Sequence, residues 1–227
     1  VSPFFSGKVV GDAYAQGVTR KVTLIANEKV VQVAPDNPLH PGGVKYNAMV
    51  FNGTIPGPVV AINQGDTLQI TLKNEGKLIH SIDFHAGYGP GQALSGNVGA
   101  GESKTWTLKG IYPGVFFYHC GADSLNGIWE HISSGMYGGI VVHPTNEQPA
   151  KEFYMVMSEI YGSNIPPVFQ KANDTNPASF DVMKMLYGSP DLVLTNGESF
   201  KYVPGIGQAV KIPLNANATV FKVKPGE

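Results

Sequence analysis

"GVFFYHCGADSLNGIWEHISSGMYGGIVVHP", residues 114–144, contains two runs of β-forming residues with a longer segment between them. The first run ends in His119 and Cys120, the only cysteine of the chain. The intervening segment carries His131, and Met136 stands just before the second run. "GVFFYHC" and "YGGIVVHP" read as strands, dense in Val, Ile, Phe and Tyr, the second closed by proline. One cysteine makes no intramolecular disulfide, which leaves an inert buried thiol, a nucleophile or a metal ligand.

The same pattern extends outward. "RKVTLIANEKVVQVA" (20–34), "GPVVAINQGDTLQITLKNEG" (57–76) and "ESKTWTLKG" (102–110) alternate or cluster β-formers between Gly, Pro and Asn. With 28 Gly and 17 Pro among 227 residues, many short strands joined by turns are favoured over long helices. The predicted class is all-β, a sandwich. Charged residues make up 15% and the formal charge is −1, so nothing in the charge balance favours nucleic acid. No run of about 18 apolar residues predicts a membrane span, and "VSPFFSGKVVGD" lacks the pattern of a secretory leader.

A polar stretch, "TNEQPAKE" (145–152), suits a linker, and the predicted domains are 1–148 and 149–227. In the second, "KEFYMVMSEIYG" (151–162) reads as a strand. Phe180, Met183 and Leu186 are spaced for a short helix within 175–190. A weak echo links "AMVFNGTIPGPVVAINQGD" (48–66) with 191–227: strand, Asn-Gly turn, further turns, strand, then Gly before an acid. In that alignment Glu227 matches Asp66, and the second domain reads as incomplete.

Strand parity sorts the histidines, because successive side chains point to opposite faces. In "LIHSIDFH" (78–85), taken as a regular strand, His80 faces one side while Asp83 and His85 share the other. His119 and Cys120, adjacent in sequence, also face opposite sides. Two sites are implied. One collects His80, Cys120, His131 and Met136; the other collects Asp83, His85 and His119. Two imidazoles, a thiolate and a thioether form a soft, nitrogen-rich set that suits copper better than structural zinc, which prefers several thiolates. A lone buried cysteine or methionine is more often core filling. It is the combination on one interstrand loop, with a histidine from another strand, that favours a ligand set. His40 and His143 read as bystanders, Met49 and Trp129 as packing near the first site, and Asn47 and Asn52-Gly53 as turn residues.

The strings "FNGTIPGP", "HSIDFH", "GVFFYHC" and "WEHISSGMYGGIVV" resemble the first cupredoxin domain of the copper-containing nitrite reductases. The resemblance implies a cupredoxin-like Greek-key sandwich followed by a second cupredoxin domain. It implies a type 1 copper on His80, Cys120, His131 and Met136, a type 2 copper on His85 and His119, and Asp83 as the catalytic acid. It further implies a homotrimer in an extracytoplasmic location, periplasm or outer cell surface, taking electrons from a small cupredoxin or a cytochrome and reducing nitrite to nitric oxide. In that family the third type 2 ligand and a second catalytic histidine come from the second domain, the ligand from a neighbouring subunit. Here no histidine follows His143, and Glu130 stands between Trp129 and His131. An oxygen-reducing multicopper oxidase is disfavoured, since it would want a histidine directly after the cysteine, where Gly121 stands. A simple electron-transfer cupredoxin with one copper is the other alternative.

Overall fold

The computed structural model describes residues 17–86, 96–122, 128–173, 175–207 and 211–226. The stretch read for a leader, the middle of the Cys120–His131 loop and Glu227 of the echo lie outside the described residues. The described residues divide into two compact units: one holds 17–29 together with those of Met49–Gln148, the other Val30–Ala48 with those from Pro149 onward.

The elements that build the first unit are β1 (Thr19–Ala34), β2 (Val44–Phe51), β3 (Val60–Asn63), β4 (Thr67–Asn74), β5 (Asp83–Phe84), β6 (Ser103–Lys109), β7 (Gly114–His119), a short helix α1 (Ile128–Ser133) and β8 (Tyr137–His143). They form two four-stranded sheets, ordered β2-β1-β4-β6 and β3-β8-β7-β5, with β1 and β2 running on into the second unit. Most pairs are antiparallel, while β1 with β4 and β3 with β8 run parallel. The architecture is the all-β sandwich expected. Alternation explains why the sheets pack: Val22, Leu24 and Ala26 of β1 and Leu68, Ile70 and Leu72 of β4 point inward. They share one core with Ile62, Tyr118, Ile140 and Val142 from the other sheet. Each of these Val, Leu and Ile side chains removed from water contributes about 1.5–3 kcal/mol.

Two polar devices close the sandwich. Buried Asp66, in the turn between β3 and β4, accepts from the Val18 and Asn63 amides at 3.0 Å and from Arg20 Nε at 3.3 Å. Tyr118, fully buried on β7, donates its hydroxyl to the Pro58 carbonyl at 2.7 Å. Its ring lies against Gly138 of β8, where any Cβ would overlap it.

The second unit contains β9 (Met157–Ile160), β10 (Gly162–Ser163), β11 (Ser179–Phe180), α2 (Val182–Leu186), β12 (Leu192–Thr195), β13 (Gly205–Ile206) and β14 (Ile212–Pro213). Of the predicted strand 151–162, residues 157–160 form β9. The predicted helix begins only after Phe180, because Asp181 caps it, accepting from the Met183 and Lys184 amides. Asn47 is no turn residue: it sits in β2 and donates to Ser179 Oγ at 2.8 Å.

The sequence echo has a local structural counterpart. Asn52-Gly53 and Asn196-Gly197 both adopt positive φ, at 53° and 75° and at 49° and 85°. In each turn the asparagine makes the same pair of bonds to one residue of a neighbouring segment. Asn52 N donates to Ile25 O while its side chain accepts from Ile25 N, and Asn196 does likewise with Val156. Left-handed backbone with a hydrogen-bonding side chain is what Asn-Gly supplies.

Candidate metal centre

The strand predicted over 78–85 is not regular. His80 makes an isolated antiparallel bridge with Val98, and only Asp83–Phe84 continues as β5, paired with Tyr118 and His119 of β7. Asn74, buried at the end of β4, bends the chain by donating its side-chain amide to the carbonyls of Leu78 and Val98 while accepting from Gly76 N. His80 and Asp83 nevertheless head into different clusters. Donor atoms of His80, Cys120 and His131 lie within 4.8 Å of one another, and so do those of Asp83, His85 and His119.

The first cluster is buried, all three residues being at most 3% exposed. His80 Nδ1 lies 3.2 Å from His131 Nδ1, which lies 3.3 Å from Cys120 Sγ. His131 comes from α1 and not from an irregular loop, so one helical turn sets its direction. Cys120 is anchored on both sides: its amide donates to Met136 O at 3.0 Å and its sulfur accepts from Ser81 N at 3.4 Å. Met136 is fully buried and its amide donates to His131 O, which ties the last member of the predicted set to the third. Met49 packs against the core, and Trp129 on α1 is 47% exposed.

Electrostatics fit a cation. Burial pushes the Cys120 thiol up to about 11, against which bonds from the Ala122 and Ser81 amides work. Burial, helped by the neighbouring His80, pushes His131 down to about 4. At neutral pH the metal-free cluster therefore holds a thiol and a neutral His131 imidazole. A bound cation would draw out the thiol proton and take the free nitrogen lone pairs.

Glu28, on β1, is the residue the sequence reading missed. Its Oε1 lies 3.0 Å from His80 Nε2 and also accepts from Leu78 N at 3.1 Å, while Oε2 accepts from Lys77 N at 2.9 Å. Burial acts to raise this carboxyl, but the bonds from Lys77, Leu78 and His80 outweigh it and hold it below the usual carboxylate range. Phase was the available signal: Glu28 continues the inward series Val22, Leu24, Ala26, and an acid on an inward position needs a partner.

The second cluster is more open. His85 and His119 are half-buried and Asp83 is buried. His119 Nδ1 lies 2.9 Å from Cys120 O, and a carbonyl only accepts, so the hydrogen is on Nδ1 and Nε2 carries the lone pair. That Nε2 lies 3.1 Å from His85 Nε2. Burial and the neighbouring His119 both lower the His85 pKa, with Asp83 acting against them. His40 and His143 join neither cluster. His40 stacks on Phe200 in the second unit, and His143 closes β8 against Glu147.

The family model described as "Multicopper oxidase" matches residues 32–147. A copper-containing nitrite reductase of Neisseria meningitidis is 32% identical over 160 residues, covering 68% of this chain and 39% of that relative. One from Alcaligenes faecalis is 38% identical over 128 residues, 54% of this chain and 31% of the relative. Among solved structures, a copper nitrite reductase from Nitrosomonas europaea superposes with a TM-score of 0.66 at 33% identity, covering 88% of this chain and 61% of that one. The chain thus spans 39% of the length of the Neisseria meningitidis relative and less than two thirds of the solved one.

Proposed function

The chain belongs to the multicopper oxidase family, and from that premise we propose that it carries the copper-binding domain of an enzyme that reduces nitrite to nitric oxide. The observation that carries the reading is the placing of two donor clusters on either side of a single peptide link, His119–Cys120. The kinship with named copper-containing nitrite reductases supports it.

In this reading His80, Cys120, His131 and Met136 hold a type 1 copper, and His85 and His119 hold a type 2 copper. The third type 2 ligand comes from the neighbouring subunit of a homotrimer. Bound copper supplies one-electron redox chemistry at the first site and Lewis acidity toward a nitrite oxygen at the second. Nitrite takes up one electron and two protons and yields nitric oxide and water. The backbone from Cys120 to His119 is the covalent route for that electron, and the His119 Nδ1–H bond to Cys120 O shortens the path further. Asp83, buried within reach of the His85 and His119 nitrogens, delivers a proton to the departing oxygen. The electron donor is a small cupredoxin or a cytochrome, and the enzyme works outside the cytoplasm. Among the described residues no helix is long and apolar enough to cross a membrane.

The test is to count copper and follow nitric oxide release in the full-length protein, with electron paramagnetic resonance separating the copper species. Two distinct signals and nitrite-dependent release are expected. A lone type 1 signal without release would defeat the reductase reading and leave an electron-transfer module.

A further inference from the structure

We infer that Glu28 is a positioning residue that fixes the His80 tautomer and thereby lowers the reduction potential of the metal held by His80, Cys120 and His131. The second half of this inference rests on the copper reading above; the first half does not.

The geometry defines one proton position. The carboxylate of Glu28 only accepts, so the hydrogen shared at 3.0 Å belongs to His80 Nε2, and Nδ1 is left as a bare lone pair 3.2 Å from His131 Nδ1. The carboxylate itself is held. Two successive amides, Lys77 N and Leu78 N, donate to its two oxygens from the segment that leads into His80. That segment is clamped in turn by Asn74, and His80 exchanges both backbone bonds with Val98, so neither partner can drift alone.

Gly76 provides the remaining space. A Cβ there would stand 2.6 Å from Oε1 and 2.9 Å from Oε2 of Glu28, so residue 76 must be glycine for the carboxylate to keep its seat.

The electronic consequence follows from charge. A carboxylate on the far nitrogen makes the imidazole a stronger donor, and its negative charge favours the more highly charged metal ion. Cu(II) is therefore stabilised relative to Cu(I). Outer partners of this kind typically change metal affinity by 10–100-fold. A tenfold loss of Cu(II) preference corresponds to an upward shift of about 59 mV in a one-electron couple.

Two variants and two measurements test this. Glu28→Gln removes the charge at nearly constant shape, and Gly76→Ala displaces the carboxylate without altering its charge. Long-range proton–nitrogen NMR on metal-free protein at pH 8 is expected to show His80 wholly as the Nε2–H tautomer. Both variants are expected to show a mixture. Potentiometry of the copper-loaded protein is expected to place both variants above the wild type, by about a tenfold change in Cu(II) over Cu(I) preference for Glu28→Gln. An unchanged tautomer in both variants overturns the positioning role, and an unchanged potential overturns the tuning role. A wild type that binds copper without a thiolate absorption band sinks the copper reading instead, while the NMR result still decides the role of Glu28.

Discussion

His119 and Cys120 are consecutive residues whose side chains serve opposite sides of the sheet. Cys120 Sγ lies 3.3 Å from His131 Nδ1, and His119 Nε2 lies 3.1 Å from His85 Nε2. Strand alternation alone brings this about, because β7 carries Val115, Phe117 and His119 on its outer face and Tyr118 inward, with Cys120 next in that inward phase. The bond between His119 Nδ1 and Cys120 O then orients the imidazole from the same peptide unit that joins the two clusters.

Replacing the thiol tests the first cluster directly. Cys120→Ala is expected to abolish the intense visible band of a copper–thiolate bond while the His85 and His119 nitrogens keep their places. Absorption spectroscopy after copper loading reads this, and a persisting band would show that sulfur is not a ligand.

Asp83 offers a separate test. On the proposed reaction Asp83→Asn keeps the shape and loses the proton, so turnover of nitrite by the full-length protein is expected to fall by about 10²-fold or more. Copper content should stay at the wild-type level. Equal losses of copper and activity would mean that Asp83 merely holds the site together.

Much of this arrangement was legible in the sequence. Parity separated His80 from His85 and His119 from Cys120, and the structure brings the donors together in those groups. The premise was only half right, since 78–85 is an isolated bridge and a two-residue strand, not a regular one. Parity survived because β7, which pairs with both Asp83 and Phe84, is itself regular. The phase of β1 marks Glu28 as an inward acid in need of a partner, but which partner was invisible, because His80 lies 52 residues on and no local pattern links an acid in β1 to an imidazole beyond β4. The helix under His131 escaped because a single turn gives no periodicity to read.

Close packing behind the site makes a stability prediction. Gly138 gives room to the Tyr118 ring, so Gly138→Ala must push that ring and strain its bond to Pro58 O. Overpacking of this kind costs about 1–3 kcal/mol. Thermal unfolding of metal-free protein should show a lower midpoint; an unchanged midpoint would mean that the two strands separate freely. Because Tyr118 immediately precedes His119 and Cys120, the copper spectrum should shift as well.

The pH dependence of the metal-free protein follows from the buried donors. His131 is 3% exposed and its pKa falls from an ordinary 6.5 to about 4, so between these values the unfolded chain binds a proton that the folded one does not. Stability must then drop as pH falls through that interval, by about 3 kcal/mol from this group. Burial shifts His80 and His85 in the same direction and adds to the loss. Cys120 acts at the other end. Its thiol, raised to about 11 by burial, makes the folded chain hold a proton that the unfolded chain has released, so stability declines as pH rises above about 9. Urea unfolding of chelator-treated protein should therefore give its highest midpoint between about pH 6.5 and 9, falling on both sides. A midpoint as high at pH 5 as at pH 8 would mean that the histidines are hydrated in the folded state, contrary to the burial on which the first cluster depends.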